Sequence, residues 1–139
     1  LYNAAILRLK LAGEVAHRLA SPDASATRVS PVCGSKIIAD VALAGDGRIA
    51  AVGMDASKAC TLGQASAAVA LERVPGMDAA TLSVTRTALA DFLANRAEAA
   101  PDGWAMFAPA RAHRARHPSI LLALDAVLAA LAEAGQAAA

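Results

Sequence analysis

A run of alternating residues in the first half of the chain restricts the fold most. Between residues 36 and 44, alternate positions form two faces, one with Ile37, Ala39, Val41 and Leu43 and the other with Ile38, Asp40 and Ala42. Alternation of this kind is typical of a β-strand with one buried face. The tripeptide Gly45-Asp46-Gly47 supplies the positive-φ positions of a tight turn, and residues 48–54 return as a second strand. The sequence therefore predicts an antiparallel hairpin.

The two cysteines of the chain flank this hairpin at its open end. Cys33 lies in the turn that enters the hairpin, and Cys60 stands where a helical pattern begins. Strands of similar length return to the same edge of a sheet, so we expect the thiols to approach one another. A helix start at Cys60 also favours its thiolate, the form that binds metal or attacks sulfur. A free cysteine is equally a small buried apolar residue, so spacing alone leaves both a site and a coincidence open.

The remainder of the chain is predicted to be mostly helical. One helix covers residues 1–12, and a loop over residues 20–25 leads to a short edge strand at residues 27–30. After the hairpin the pattern predicts three helices, which begin at Cys60, after Asp78 as N-cap, and at Pro118. Residues 97–103 form a linker, and Trp104, Met106 and Phe107 form an apolar group before the last helix. This order predicts an α+β fold, a small antiparallel sheet of two or three strands with helices packed on one face.

The length, net charge and apolar segments of the chain exclude several classes of function. The 139 residues suit a single domain, expected over residues 1–134, with a frayed tail at 135–139. A net charge of +1 predicts no nucleic-acid partner, and no apolar segment of 18 residues predicts a membrane span. The charged N-terminal residues do not resemble a signal peptide, so we expect a cytoplasmic protein. Two cysteines in a cytoplasmic chain indicate metal binding, redox chemistry or burial.

Other residues could join a site with the cysteines. His117 is a nitrogen donor suited to zinc or iron, and Asp55 is a candidate for a fourth ligand. Arg111, Arg114 and Arg116 form a local basic cluster, which is either a solvated face or a surface for an acidic partner. The sequence contains no phosphate-binding glycine loop, no CxxC motif and no nucleophile elbow.

The order of short motifs resembles the IscU/NifU/SufU family of iron–sulfur cluster assembly scaffolds. The resemblance covers nearly the whole chain and rests on these segments in order: Leu1-Tyr2, Pro22-Asp23-Ala24, Pro31-Val32-Cys33-Gly34, Ala59-Cys60, Pro75-Gly76 and His117-Pro118-Ser119-Ile120-Leu121. It implies the α+β fold shared by SufE and IscU. It also implies a scaffold that accepts sulfur from a cysteine desulfurase, assembles a cluster with iron and passes it to client or carrier proteins.

The resemblance also implies a ligand set, and the chain departs from that set at two positions. Cys33 and Cys60 match the first two of the family's three cysteines, and His117 matches a histidine that often precedes the third. Ser35 stands at the family's aspartate position, and Pro118 stands at the third cysteine. Three protein ligands suffice for zinc, whereas a [2Fe–2S] cluster has four, which two subunits could share.

Three functions follow from these residues. The first is a non-enzymatic scaffold or carrier that binds iron or a labile [2Fe–2S] cluster through Cys33, Cys60 and His117. The second is a zinc-containing sulfurtransferase-type helper of a desulfurase, with Cys33 or Cys60 as sulfur acceptor. The third is a metal-free binding module of the same fold. A monomer and a homodimer are both compatible with each.

Overall fold

The computed structural model describes residues 1–136 of the chain. Four α-helices, three β-strands and two 3₁₀ segments follow one another in the order α1, β1, β2, β3, α2, α3, the 3₁₀ segments and α4. The bounds are α1 Ala4–Gly13, β1 Ala24–Val29, β2 Lys36–Leu43, β3 Ile49–Lys58, α2 Thr61–Arg73, α3 Ala79–Leu93, 3₁₀ Ala105–Ala112 and Arg114–Arg116, and α4 His117–Glu133. The predicted α+β class is confirmed.

The sheet is antiparallel throughout, with the strand order β1-β2-β3. In β2, Ile37, Ala39 and Val41 are fully buried on one face, as their alternation predicts. Helix α4 crosses this face over β1 and β2, while α2 packs against β3 and α4. The helices therefore cover one side of the sheet, and the core lies between the two layers.

Two strands are longer than predicted. The first begins at Ala24, inside the expected loop, because residues 24 and 25 pair with Val41 and Asp40 of the neighbouring strand. The third continues to Lys58 instead of ending at Met54, because its polar end pairs with the beginning of β2. Ladder hydrogen bonds between backbones extend both strands, and the side-chain pattern does not encode them.

The opposite face of the sheet holds a buried ion pair. Asp40 is fully buried in β2, and both of its oxygens accept hydrogen bonds from the Arg18 guanidinium, at 2.7 and 2.8 Å. Ser25 Oγ and the Leu19 backbone N–H donate to the same carboxylate. These bonds tie the segment after α1 to the sheet and satisfy a charge that would otherwise be costly to bury.

Close backbone contact joins the first two helices. Gly13, the last residue of α1, lies against the backbone of Gln64 in α2, where an added Cβ would sit 1.8 Å from the Gln64 carbonyl oxygen. The sequence-based prediction ended this helix at residue 12, one residue before Gly13. The absent side chain of Gly13 allows α1 to pack at this distance.

The apolar group before α4 belongs to the main core. Trp104 and Phe107 are fully buried, and Met106 packs against the same cluster. Trp104 Nε1 donates to Ser66 Oγ at 3.0 Å, and that hydroxyl donates to the Ile120 carbonyl at 2.6 Å. These two hydrogen bonds connect α2 with the residue that precedes the first 3₁₀ segment and with the beginning of α4.

The C-terminal helix is long and apolar enough, by length and composition, to cross a membrane. The 20-residue stretch Arg114–Glu133 meets that test, but 61% of its most apolar window is buried inside the protein, as in the core helix of a folded domain. Of the expected tail, Gly135 and Gln136 still donate backbone hydrogen bonds to Ala132 and Leu131. Residues 137–139 lie outside the described part of the chain.

We expect Asp40→Ala to lower the free energy of unfolding by about 1 to 2 kcal/mol, because Arg18, Ser25 and Leu19 lose their acceptor while the exposed Arg18 and Ser25 keep access to water. Burial raises the pKa of Asp40, but the bonds from Arg18, Ser25 and Leu19 outweigh it and hold the pKa below its ordinary value of 3.8. The stabilisation is therefore complete above pH 3.8 and is lost as the pH falls through the lowered pKa.

Urea denaturation of wild type and variant across acidic pH checks this expectation. The stability difference between them should shrink towards zero as the pH falls. Asp46→Ala, at an exposed carboxylate in the β2–β3 turn, is the matched control and should change stability by less than about 0.5 kcal/mol. A stability difference for Asp40→Ala that does not vary with pH would contradict the argument.

Candidate functional site

The loop between β1 and β2 presents Cys33 to solvent. Two backbone hydrogen bonds close this loop, from Ser30 N–H to the Ser35 carbonyl at 2.8 Å and from Gly34 N–H to the Ser30 carbonyl at 2.9 Å. Gly34 adopts a φ of 73°, which glycine tolerates without the strain of a side chain. Cys33 is exposed at the tip of this compact turn, so its thiol is accessible.

Cys60 lies at the other end of the hairpin, as the N-cap residue of α2. Its backbone N–H donates to Ser35 Oγ at 3.0 Å, so a single serine side chain connects the β1–β2 loop to the beginning of the helix. The Cys60 side chain is half-buried. The sequence-based expectation that this residue starts a helix is confirmed.

Two buried hydroxyls contact the Cys33 thiol. Ser119 Oγ lies 3.1 Å from Cys33 Sγ, and Ser35 Oγ lies 3.0 Å from it. Ser119 belongs to the first turn of α4, so the thiol bridges the sheet end and the C-terminal helix. Hydrogen bonds from Ser119 and Ser35 stabilise the thiolate and lower the pKa of Cys33 from 9.0 to about 6. At neutral pH this thiol is therefore largely ionised.

The same groups act on Cys60. Burial raises the pKa of the Cys60 thiol, but the Gly63 backbone N–H and the Ser119 and Ser35 hydroxyls outweigh burial, and the pKa is lowered. The charge of Cys33 opposes ionisation of Cys60, as expected for two thiols that share hydrogen-bond partners. The hairpin thus brings both cysteines to one edge of the sheet.

A cation also faces this pair. The Arg116 guanidinium donates to the Tyr2 hydroxyl at 2.8 Å and lies 5.8 Å from the centre of that ring. The Tyr2 bond is the largest cause of the raised pKa of Arg116, and the nearby Cys60 thiol adds to it. Arg116 is therefore placed to balance the charge of the Cys60 thiolate.

One hydroxyl beside the thiols has no partner of its own. Ser30 is buried, and within the described residues its Oγ makes no hydrogen bond of acceptable geometry, although it lies close enough to Cys33 to favour the thiolate. A buried unpaired hydroxyl costs free energy. Its position next to the Cys33 thiol leaves a polar group free for an additional polar or ionic occupant of the site.

The other two candidate ligands lie elsewhere. His117 Nε2 lies 2.8 Å from the Ala110 carbonyl, and because a carbonyl only accepts, Nε2 is the donor of this bond. The Asp55 carboxylate accepts from the backbone and hydroxyl of Ser57 on β3. Across residues 1–136 no group of three or more histidine, cysteine or acidic side chains could hold a metal ion.

The predicted basic surface is divided between two places. Arg116 turns towards the thiols and Tyr2, as described above. Arg111 donates to the carbonyls of Phe92 and Ala97, both at 2.8 Å, and Arg114 lies with it beside a separate cavity. The three side chains therefore do not form one continuous face.

Sequence reasoning missed three contributors to the site: Ser35 and Ser119 as thiol partners, and Arg116 as a counter-charge. A signal for the serines was available, because Ser35 stands at a family ligand position and Ser119 lies in the C-terminal motif. No local pattern signals Arg116, since its contact with Tyr2 joins the two ends of the chain.

The fold is also found in proteins of solved structure. The fold is similar to that of the N-terminal part of a nitrogen-fixing NifU-like protein from Brucella abortus, with a TM-score of 0.84 and 34% identity over 96% of this chain and 94% of that one. The chain belongs to the IscU/NifU/SufU-like family. A comparison with models of known protein families gives no match, and a comparison with curated proteins gives none either.

Two more distant structures share the fold of this family. One is a candidate iron–sulfur cluster assembly scaffold protein for the SUF system from Fervidobacterium islandicum AW-1, with a TM-score of 0.76 and 16% identity over 94% of this chain and 96% of that one. The other is a hypothetical protein with a TM-score of 0.71 and 17% identity, which covers 90% of this chain and 98% of its own. At these identities the likeness concerns the fold alone.

We expect Cys33 to be alkylated with a pH midpoint near 6 and Ser119→Ala to move that midpoint upward, because the variant removes the largest cause of the lowered pKa. The measurement is the rate of iodoacetamide modification of Cys33 against pH, followed by mass spectrometry of the peptide. Ser83→Ala, in α3 and outside the site, is the control and should leave the midpoint unchanged. A wild-type midpoint near the ordinary 9.0 would refute the assigned hydrogen bonds.

Proposed function

We propose that this chain is a scaffold or carrier for iron–sulfur cluster assembly that binds iron or a labile cluster through Cys33 and Cys60. The observation that carries the proposal is the meeting of two thiols with lowered pKa values, at one sheet edge, in a NifU-like fold. Thiolate is the form that binds soft metal ions, and the lowered pKa values of both cysteines favour that form.

The residues at this site supply only part of the ligands that an iron–sulfur cluster has. Cys33 and Cys60 supply two thiolates, Arg116 offsets negative charge, and the unpaired Ser30 hydroxyl lies beside them. A [2Fe–2S] cluster has four protein ligands. Two copies of the chain would supply four thiolates, so we propose that a cluster, when bound, is shared by a homodimer through the exposed Cys33 side.

His117 remains the proposed third ligand, with Asp55 as the fourth candidate. The hydrogen bond from His117 Nε2 to a backbone carbonyl resembles the second-shell support that metal-binding histidines receive, and it leaves Nδ1 as the donor atom. Ligation would require the ring to approach the thiols, since the described structure does not group the three side chains.

The proposed partners follow from the same function. A cysteine desulfurase would supply sulfur, and client or carrier proteins would receive the cluster, in the cytoplasm. The residues most exposed to such partners at the site are those of the β1–β2 loop, where Val32 and Cys33 reach solvent. The domain is proposed to comprise residues 1–134.

We expect anaerobic treatment with ferrous iron and sulfide to give a protein that absorbs visible light and contains bound iron. Cys33→Ser and Cys60→Ser should each abolish the absorption, because either change removes half of the thiolate donors. Iron and sulfide analysis with sedimentation velocity would show whether the loaded form is a dimer. A colourless wild-type protein that holds neither iron nor sulfide would overturn the proposal.

A pair of histidine variants tests the third ligand. His117→Ala should weaken iron retention, whereas His113→Ala, an exposed histidine in the same segment, should not. Equal retention by both variants would leave two thiolates per chain as the complete ligand set and remove His117 from it.

The exposed Cys33 thiolate favours a second function, that of a sulfur carrier with bound zinc. In the transfer, the Cys33 thiolate attacks the outer sulfur of a desulfurase cysteine persulfide. A new S–S bond forms on Cys33, the donor S–S bond breaks, and the desulfurase thiolate leaves, without net oxidation. The two hydroxyls that stabilise the Cys33 thiolate would stabilise the persulfide anion in the same position.

We expect Cys33, and not Cys60, to gain the mass of one sulfur atom after incubation with a desulfurase and cysteine, because Cys33 is exposed and Cys60 is half-buried. Intact-mass analysis of Cys33→Ser and Cys60→Ser variants checks this, together with zinc analysis of the purified protein. A sulfur adduct that persists in Cys33→Ser would contradict the assignment.

A further inference from the structure

A cavity of about 430 Å³ lies beside the start of α4, where His117 lines it. The C-terminal end of α3 forms one wall, and the segment that carries the 3₁₀ turns forms the other. Its lining includes three guanidinium groups and an imidazole, from Arg96, Arg111, Arg114 and His117. The proposed cluster site does not use the arginines of this cavity.

The positive charge of the cavity is only partly neutralised. Arg96 pairs with Asp91 at 3.1 Å, and that pair is exposed to solvent. The Arg114 guanidinium makes no hydrogen bond or ion pair with residues 1–136, and Arg111 has no carboxylate partner within that range. Three guanidiniums therefore face one carboxylate.

Arg111 is held in place before any ligand binds. Its Nε donates to the Phe92 carbonyl and one terminal nitrogen donates to the Ala97 carbonyl, while the guanidinium stacks 4.5 Å from the Phe92 ring centre. The bond to Phe92 caps a carbonyl in the last turn of α3, an end that would otherwise repel an anion, and the bond to Ala97 fixes the guanidinium to the segment after the helix. They use two of the five donors of the guanidinium and leave the others for a ligand.

The type and position of the donor groups in the cavity favour carboxylates over phosphate. Phosphate sites usually draw on backbone N–H groups at a helix N-terminus, whereas this cavity lies at a helix C-terminus and offers side-chain donors. Guanidinium groups match carboxylates in a bidentate geometry, and several of them at separate positions suit a ligand with more than one carboxylate. The volume is sufficient for a small polycarboxylate or for adjacent acidic side chains.

We propose that this cavity binds a multivalent carboxylate, supplied either by a free small tricarboxylate or by neighbouring acidic side chains of a docking protein. His117 joins the cavity to the thiols, because it lies two residues before Ser119, whose hydroxyl contacts Cys33. An anion that holds His117 in the cavity keeps the imidazole away from the cysteines. An occupied cavity would therefore oppose the binding of a metal ion by His117.

Calorimetric titration of the cluster-free protein at low ionic strength tests the proposal. The probes are citrate, a short peptide of consecutive glutamates, and inorganic phosphate. We expect citrate or the peptide to bind, and the Arg96→Gln/Arg114→Gln double variant to weaken binding at least tenfold. The double variant leaves the α3 cap intact, because Arg111 is unchanged, and circular dichroism confirms folding.

Arg8→Gln/Arg28→Gln, at exposed positions on α1 and β1, is the control with the same loss of charge. Binding of citrate supports a free ligand, and binding of the peptide alone supports a docking protein. No binding of either, phosphate binding as tight as citrate, or equal weakening in the control would overturn the proposal. None of these outcomes depends on iron or sulfide, so the cluster proposal stands or fails separately.

Discussion

Lys36 lies opposite Lys58 across the β2–β3 ladder, and this pairing sets the distance between the two ends of the hairpin. The loop with Cys33 precedes the first of these residues, and the helix capped by Cys60 follows the second. Ser35 then connects them, because its hydroxyl contacts the Cys33 thiol and accepts from the Cys60 backbone. A shift of one residue in this register would turn every side chain of a strand to the opposite face and separate the thiols.

The packing of α4 against the sheet brings the remaining residues of the thiol site into place. Its apolar residues bury the inner face of β1 and β2, and this brings the first turn of the helix to the edge where the hairpin opens. Ser119 then reaches the thiols, while His117 in the same turn reaches the Ala110 carbonyl. One helix start therefore serves both the thiol site and the basic cavity, which gives the two sites a shared element.

The chain keeps the family fold although it differs at two of the ligand positions that the family resemblance implies. Where the family resemblance implies an aspartate and a third cysteine, this chain has Ser35 and Pro118. Proline suits the first turn of α4 but offers no donor, and the serine contributes a neutral hydroxyl in place of a carboxylate. The resulting pair of thiols is less negatively charged than the implied set.

The sequence by itself determined the hairpin and the helix starts near Cys60, Asp78 and Pro118, because local periodicity, turn glycines and caps encode these features. It gave only an expectation that the cysteines meet at one edge, and spacing alone left coincidence open. The tertiary structure alone decided which polar groups face the thiols. Ser119 and Arg116 reach the cysteines across the fold, and His117 turns to a backbone carbonyl instead. Such contacts join residues far apart in the chain, so they depend on how α4 lies on the sheet and leave no local pattern.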